Sequence, residues 1–129
     1  MTEALQGVKV LVVEDEYLVA TLMENMLASA GCVVAGPIPR LAQALDAASS
    51  EACDVAVLDV NLAGERVYPV ADILAQRNVP FVFVTGYGPN ALPPDYAKLP
   101  RVCKPFRMAE LLTAISDVVK PGHEVGTLR

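Results

Sequence analysis

The seven residues Val10-Leu11-Val12-Val13-Glu14-Asp15-Glu16 give the clearest fold signal in this chain, because an apolar run passes directly into three carboxylates. A short run of consecutive aliphatic residues is typical of a parallel strand that is buried on both faces of its sheet. Charged side chains are rarely found at the end of such a strand unless they are paired or bind an ion. The stretch therefore predicts a buried strand that ends in a charged site.

Similar arrangements recur along the chain. The run Val55-Ala56-Val57-Leu58 ends in Asp59, and Arg101-Val102-Cys103 is followed by Lys104-Pro105. A further apolar run at residues 81–84 is followed by Thr85-Gly86. Strands are predicted near residues 8–13, 33–35, 54–58, 81–84 and 102–103.

Segments with helical periodicity separate these strands. The predicted apolar faces comprise, in order, Leu18, Val19, Leu22, Met23, Met26 and Leu27; Leu41, Ala44, Leu45 and Ala48; Val67, Val70, Ala71 and Leu74; and Met108, Leu111, Leu112, Ile115, Val118 and Val119. Gly31 is predicted to end the first helix, and Pro121-Gly122 the last. Four prolines within residues 88–100 permit at most a short fourth helix there.

Strands that alternate with helices indicate an α/β fold with a parallel sheet and right-handed crossovers. No repeat or interdomain linker is visible, so residues 1–129 are predicted to form a single domain with a core at about 8–119 and a tail at 120–129.

Composition narrows the class of protein. A net charge of -5 argues against a nucleic-acid-binding surface. No apolar run is long enough to span a membrane and no signal peptide is recognisable, so we expect a cytoplasmic protein. Cys32, Cys53 and Cys103 are predicted to be reduced and buried, and no pairing of zinc-site type exists between cysteine and the single His123.

Ligands of open α/β sheets bind beyond the carboxyl ends of the strands. If the strand order is 2-1-3-4-5, the first and third strands are neighbours and bring Glu14, Asp15 and Asp59 together. Their mutual repulsion would be relieved by a divalent cation, and hard oxygen ligands favour Mg²⁺. Asp59 is then a candidate nucleophile that forms an aspartyl phosphate.

The transferred phosphoryl group needs compensating partners for its oxygens. Lys104 supplies a charge and Thr85 a hydroxyl donor at neighbouring strand ends. Each residue also has an ordinary structural interpretation: the Asp as a turn former, the Thr as a strand residue and the Lys as an exposed loop residue. Glu16 is interpreted as favouring the start of the first helix through its dipole.

With these residues in place, the sequence closely resembles the receiver domain of two-component response regulators over about residues 8–119. The resemblance rests on Val-Glu-Asp-Glu (13–16), Leu-Asp-Val-Asn-Leu (58–62), Thr85-Gly86 and Lys104-Pro105-Phe106. It implies a flavodoxin-like (βα)5 doubly wound sheet of order 2-1-3-4-5 whose fourth helix is here short or irregular.

The resemblance also implies roles for residues of the site. Asp59 would be the phosphoacceptor, and Thr85 and Lys104 would bind the phosphoryl group. Glu14, Asp15, Asp59 and the backbone carbonyl of Asn61 would hold Mg²⁺, for which Mn²⁺ or Ca²⁺ could substitute.

Residues 80–88, Pro-Phe-Val-Phe-Val-Thr-Gly-Tyr-Gly, are similar to the FATGUY subgroup of receivers, often linked to histidine kinases of the HWE class. Where many receivers carry a switch aromatic, three residues before the lysine, this chain has Arg101. Tyr87 is a candidate replacement or simply a packed aromatic, and Phe106 is expected in the core. We expect residues 88–100 to change their order on phosphorylation.

The predicted function is that of a monomeric single-domain response regulator, a phosphoacceptor switch and not an enzyme. Its partner would be a histidine kinase or phosphotransfer protein, which would dock near residues 17–21 and 87–106. Three alternatives remain: a haloacid-dehalogenase-type phosphatase, disfavoured because Asn61 replaces the second carboxylate; a flavin or nucleotide binder, which lacks the glycine motifs; and a phosphate-independent interaction module.

Overall fold

The computed structural model describes residues 5–86 and 92–128, with residues 120–128 as backbone only. In chain order, the elements are β1 (Lys9–Val13), α1 (Tyr17–Ser29), β2 (Val33–Ile38), α2 (Leu41–Ser50), β3 (Val55–Asp59), β4 (Asn61–Leu62), β5 (Glu65–Arg66), α3 (Tyr68–Gln76), β6 (Phe81–Thr85), β7 (Arg101–Cys103) and α4 (Met108–Leu128). Five of the strands form one sheet in the order β2-β1-β3-β6-β7, and all its pairs are parallel. The predicted order 2-1-3-4-5 is confirmed.

The alternation of side chains along the strands divides the core into two layers. On β1, Val10 and Val12 pack in one apolar cluster with α1 and α4, while Leu11 and Val13 pack in the other with α2 and α3. Because successive strand residues point to opposite faces, a continuous apolar run is needed to fill both layers. This is the doubly wound arrangement that the apolar runs predict.

The first helix differs from its prediction. Met23 and Leu27 are buried as expected, together with Ala20, but Leu18 is 79% exposed and Leu22 is 47% exposed. The apolar stripe of α1 is therefore wider than the surface that the sheet covers. The helix ends as predicted, since Gly31 has a φ of +89°, a conformation that other residues rarely adopt.

Two other boundaries can be compared with the sequence. The last helix continues to Leu128, so the prediction that it ends at Pro121-Gly122 is wrong. A proline removes one backbone donor but does not by itself prevent the following residues from staying helical. Between β6 and β7, residues 92–100 form turns and no α-helix, in agreement with the prediction, while residues 87–91 lie outside the described part.

The cysteines are free as predicted, but their burial differs. Cys32 is buried, Cys53 is half-buried and Cys103 is exposed. Cys103 ends the short edge strand β7, which pairs with β6 on one side and, within the described residues, with no strand on the other. In the described residues, no helix combines the length and the apolar character that a membrane crossing requires.

Candidate functional site

The carboxyl ends of four neighbouring strands bring the predicted site residues together. Asp59 and Thr85 are the last residues of β3 and β6, Glu14 and Asp15 follow β1, and Lys104 follows β7. The register explains this convergence, because Val13 lies opposite Leu58 and Asp59 lies opposite Val84. The resulting cleft has a volume of about 310 Å³ and is lined by Asp15, Glu16, Asp59, Val60, Asn61, Thr85, Gly86 and Lys104.

Three carboxylates form the acidic side of this site. One oxygen each from Glu14, Asp15 and Asp59 lies within 4.8 Å of the others. Glu14 is 1% exposed, and its Oε1 has no hydrogen-bond partner among the described residues. A buried carboxylate oxygen without a partner is unfavourable unless a cation compensates it. The donor set therefore fits a hard divalent cation such as Mg²⁺.

The pKa of Asp59 is shifted by its burial and by the neighbouring carboxylates. Burial, the negative charge of Glu14 and a hydrogen bond to Glu14 together raise the pKa of Asp59 to about 8, although Lys104 opposes the shift. Without a divalent cation, the protonated form of this carboxyl group is favoured up to a higher pH than in an ordinary aspartate. Nucleophilic attack needs the deprotonated form, so a bound cation would both fill the site and ionise Asp59.

The ammonium group of Lys104 lies among three carboxylates. Its Nζ is 2.6 Å from Glu16 Oε1, 3.3 Å from Glu14 Oε2 and 3.6 Å from Asp59 Oδ2. Burial favours the neutral amine, but the hydrogen bond to Glu16 and the charges of Asp59 and Glu14 outweigh it and raise the pKa of Lys104. The lysine is thus held as a cation next to the predicted phosphoacceptor.

The interpretation of Glu16 from the sequence was incomplete. Glu16 does occupy the N-cap position of α1, but its side chain makes no capping hydrogen bond and pairs with Lys104 instead. Its backbone N–H donates to Glu14 Oε2 at 3.1 Å. Glu16 therefore lines the cleft and pairs with Lys104, contacts that a position at the start of a helix does not predict.

Thr85 is 1% exposed and lines the cleft together with Asp15 and Asp59. Its backbone carbonyl accepts a hydrogen bond of 2.8 Å from the N–H of Lys104, so the two residues are fixed to each other through the backbone. A threonine hydroxyl at this place is able to donate a hydrogen bond to a ligand in the cleft.

A tight hairpin, absent from the prediction, follows β3 and contributes Asn61 to the lining of the cleft. The antiparallel strands β4 and β5 are joined by Ala63 and Gly64, with φ angles of 50° and 89°. Two positive φ values are typical of the turns that connect two-residue hairpins. Ala-Gly is a weaker signal for such a turn than Asn-Gly, which explains why the sequence did not reveal it.

The residues around the predicted switch region have defined neighbours where they are described. Arg101 donates a hydrogen bond of 3.0 Å to the carbonyl of Ala97, and Phe106 packs against the core cluster on the α1 and α4 side. Tyr96 stacks on Tyr68 with ring centroids 4.5 Å apart. Tyr87 lies outside the described residues.

Comparison with known proteins places these features in a family. The family model for the response regulator receiver domain matches residues 10–116. The transcriptional regulatory protein PdtaR of Mycobacterium tuberculosis is 25% identical over 93% of this chain. The chain spans 60% of the length of that relative.

Two solved structures show the same fold. SdrG from Sphingomonas melonis Fr1 is 36% identical with a TM-score of 0.78, over 89% of this chain and 97% of that one. The receiver domain of the sensor histidine kinase PA1611 from Pseudomonas aeruginosa is 27% identical with a TM-score of 0.75, over 88% of this chain and 98% of that one. The PA1611 structure has a magnesium ion coordinated in its active-site cleft.

Proposed function

Because this chain belongs to the response regulator receiver domain family, we propose that it is a single-domain response regulator, spanning residues 1–129, that is phosphorylated on Asp59. Receiver domains are phosphoacceptor switches of two-component signalling and are not enzymes in the usual sense. The match to SdrG covers 89% of this chain and 97% of that chain and supports this proposal.

The observation that carries the proposal is the position of Asp59 between the ammonium group of Lys104 and the carboxylates of Glu14 and Asp15. Asp59 Oδ2 lies 3.6 Å from Lys104 Nζ, and Glu14 Oε1, in the same acidic cluster, has no hydrogen-bond partner among the described residues. In the proposed step, an Asp59 oxygen attacks the phosphorus of a donor phosphohistidine. A P–O bond forms while the P–N bond breaks, and the bonding electron pair stays on the imidazole nitrogen.

The surrounding residues have complementary roles in this step. Lys104 and Thr85 would hold two of the phosphoryl oxygens and balance their charge. Receiver domains bind Mg²⁺ in this acidic site, and the cation would supply positive charge to the phosphoryl group and to the carboxylates. The Mg²⁺ ion would be held by Glu14, Asp15, Asp59 and the backbone carbonyl of Asn61. Mn²⁺ or Ca²⁺ could substitute for it.

Receiver domains interact with histidine kinases or phosphotransfer proteins. We assign this chain to the FATGUY subgroup of receiver domains. Its phosphoryl donor would be a histidine kinase of the HWE class, and the chain would act as a cytoplasmic monomer. The sequence of residues 80–88 and the similarity to SdrG support this assignment. The docking surface would include the exposed apolar side chains of Tyr17 and Leu18 at the start of α1.

Intact mass spectrometry after treatment with acetyl phosphate tests the proposal. We expect an adduct of one phosphoryl group that requires Mg²⁺, is lost in Asp59→Asn and is retained in Asp46→Asn, which changes an exposed carboxylate of α2. No adduct in the wild-type protein would contradict the proposal and favour a phosphate-independent interaction module. An adduct retained in Asp59→Asn would move the phosphoacceptor to another residue.

A further inference from the structure

The closest partner of the Lys104 ammonium is Glu16 and not Asp59. The distances from Lys104 Nζ are 2.6 Å to Glu16 and 3.6 Å to Asp59. An ammonium group has three N–H donors and no acceptor. The contacts to Glu16 and to Glu14, the latter at 3.3 Å, are hydrogen bonds, whereas Asp59 lies beyond hydrogen-bond distance of the ammonium group.

A phosphoryl group on Asp59 that draws the Lys104 ammonium into hydrogen-bond distance therefore competes with its hydrogen bonds to Glu16 and Glu14. Glu14 has a fully buried side chain, so its release would leave a charge without compensation. Asp59 is itself the residue that would carry the phosphoryl group. The Glu16 side chain is 59% exposed, and water can solvate its carboxylate after release.

From this geometry we propose that Glu16 is a positioning residue that competes with the phosphoryl group for Lys104. Glu16 holds the ammonium in the unphosphorylated protein and releases it when Asp59 is phosphorylated. This inference rests on the proposed function, because it assumes that Asp59 is the phosphoacceptor.

The exchange also has a consequence beyond the cleft. Glu16 is the N-cap residue of α1, and its N–H donates to Glu14. The next residues, Tyr17 and Leu18, are each 79% exposed. Release of the Glu16 side chain places a free carboxylate beside these two residues, so the charge at the start of α1 reports the state of Asp59.

The test is the affinity for beryllofluoride, a phosphoryl mimic, measured by isothermal titration calorimetry at saturating Mg²⁺. Glu16→Gln should bind beryllofluoride about two- to fivefold more tightly than wild type, the size expected for the loss of a partly exposed ion pair. Glu24→Gln is the matched control, because it removes an exposed carboxylate of the same helix, and it should leave the affinity unchanged.

A double-mutant cycle separates competition for Lys104 from a general effect of negative charge. In the Lys104→Met background, Glu16→Gln should no longer change the affinity for beryllofluoride. If the gain persists there, or if Glu16→Gln binds no more tightly than wild type, the inference is wrong while the proposed function stands. If wild type does not bind beryllofluoride at all, the proposed function itself fails.

Discussion

The backbone N–H of Ala63 donates a hydrogen bond of 2.9 Å to Oδ2 of Asp15. This contact joins the β4–β5 hairpin to the acidic residues that follow β1. Within the hairpin, the N–H of Gly64 donates to Oδ1 of Asn61 at 3.1 Å. The position of Asn61, whose carbonyl is a proposed cation ligand, therefore depends on a turn that has positive φ angles.

Gly64→Ala should weaken Mg²⁺ binding by about fivefold, since a side chain at a φ of +89° costs roughly 1 kcal/mol in the hairpin. Titration calorimetry would measure the affinity. Gly7→Ala is the control, because Gly7 has a φ of +77° and, like Gly64, no atom within 4 Å of an added Cβ. Equal Mg²⁺ affinities in the two variants would show that the turn does not position the site.

The raised pKa of Asp59, about 8, predicts that Mg²⁺ binding depends on pH. Below that value, Mg²⁺ must displace a proton from Asp59, so the apparent affinity should increase by up to about tenfold per pH unit. Above it, the proton is already absent and the dependence should level off. The same titration of Asp59→Asn should show a weaker affinity and a smaller slope; an unchanged slope would assign the displaced proton elsewhere.

The same pKa shift predicts how the stability of the metal-free protein depends on pH. The folded state keeps the Asp59 proton up to a pKa of about 8, whereas the unfolded chain releases it near 3.8. Between these values the unfolded state binds fewer protons, so the free energy of unfolding should fall as pH rises. In urea unfolding with EDTA, Asp59→Asn should gain more stability over wild type at pH 8 than at pH 5. Asp46→Asn should show no such difference.

Tyr96 connects the segment before β7 to α3 through a hydrogen bond. Its hydroxyl donates to Asp72 Oδ1 at 2.8 Å, and Tyr96→Phe should lower the free energy of unfolding by about 1 kcal/mol. Tyr17→Phe changes a residue that is 79% exposed and should have little effect.

We also expect beryllofluoride to alter amide exchange at residues 92–100. Identical exchange with and without beryllofluoride would refute a change of order in this segment.

The exposed apolar residues of α1 predict a docking effect. Alanine at Tyr17, Leu18 or Leu22 should slow phosphotransfer from a panel of HWE-class histidine kinases, because these side chains are 79%, 79% and 47% exposed and are free to contact a partner. Phosphorylation by acetyl phosphate should be unchanged, since none of the three lines the cleft. Equal losses with both donors would indicate damage to the site and not to docking.

The sequence predicted the sheet and the residues that meet at its edge. This was possible because both depend on local patterns: apolar runs of Val and Leu, and charged residues such as Asp59 directly after them. Since parallel strands end at one edge, the strand order alone brings distant residues into one cleft.

The remaining features depend on contacts between distant parts of the chain. Periodicity placed Leu18 and Leu22 on the apolar stripe of α1, but it does not tell how much of that stripe a neighbour covers. The contact of Glu16 with Lys104 joins residues 88 positions apart, and neither sequence neighbourhood reveals it. The hairpin at Ala63 depends on a backbone conformation that alanine seldom adopts.

The stacked rings of Tyr68 and Tyr96, with centroids 4.5 Å apart, have an optical consequence. The chain contains four tyrosines and no tryptophan, so its near-ultraviolet circular dichroism comes mainly from phenol rings. Burial and the hydrogen bond to Asp72 raise the pKa of Tyr96 to about 12, which delays its ionisation in an alkaline titration. The native protein thus carries its own spectroscopic marker for the segment between β6 and β7, and a loss of the stack would be visible without any added label.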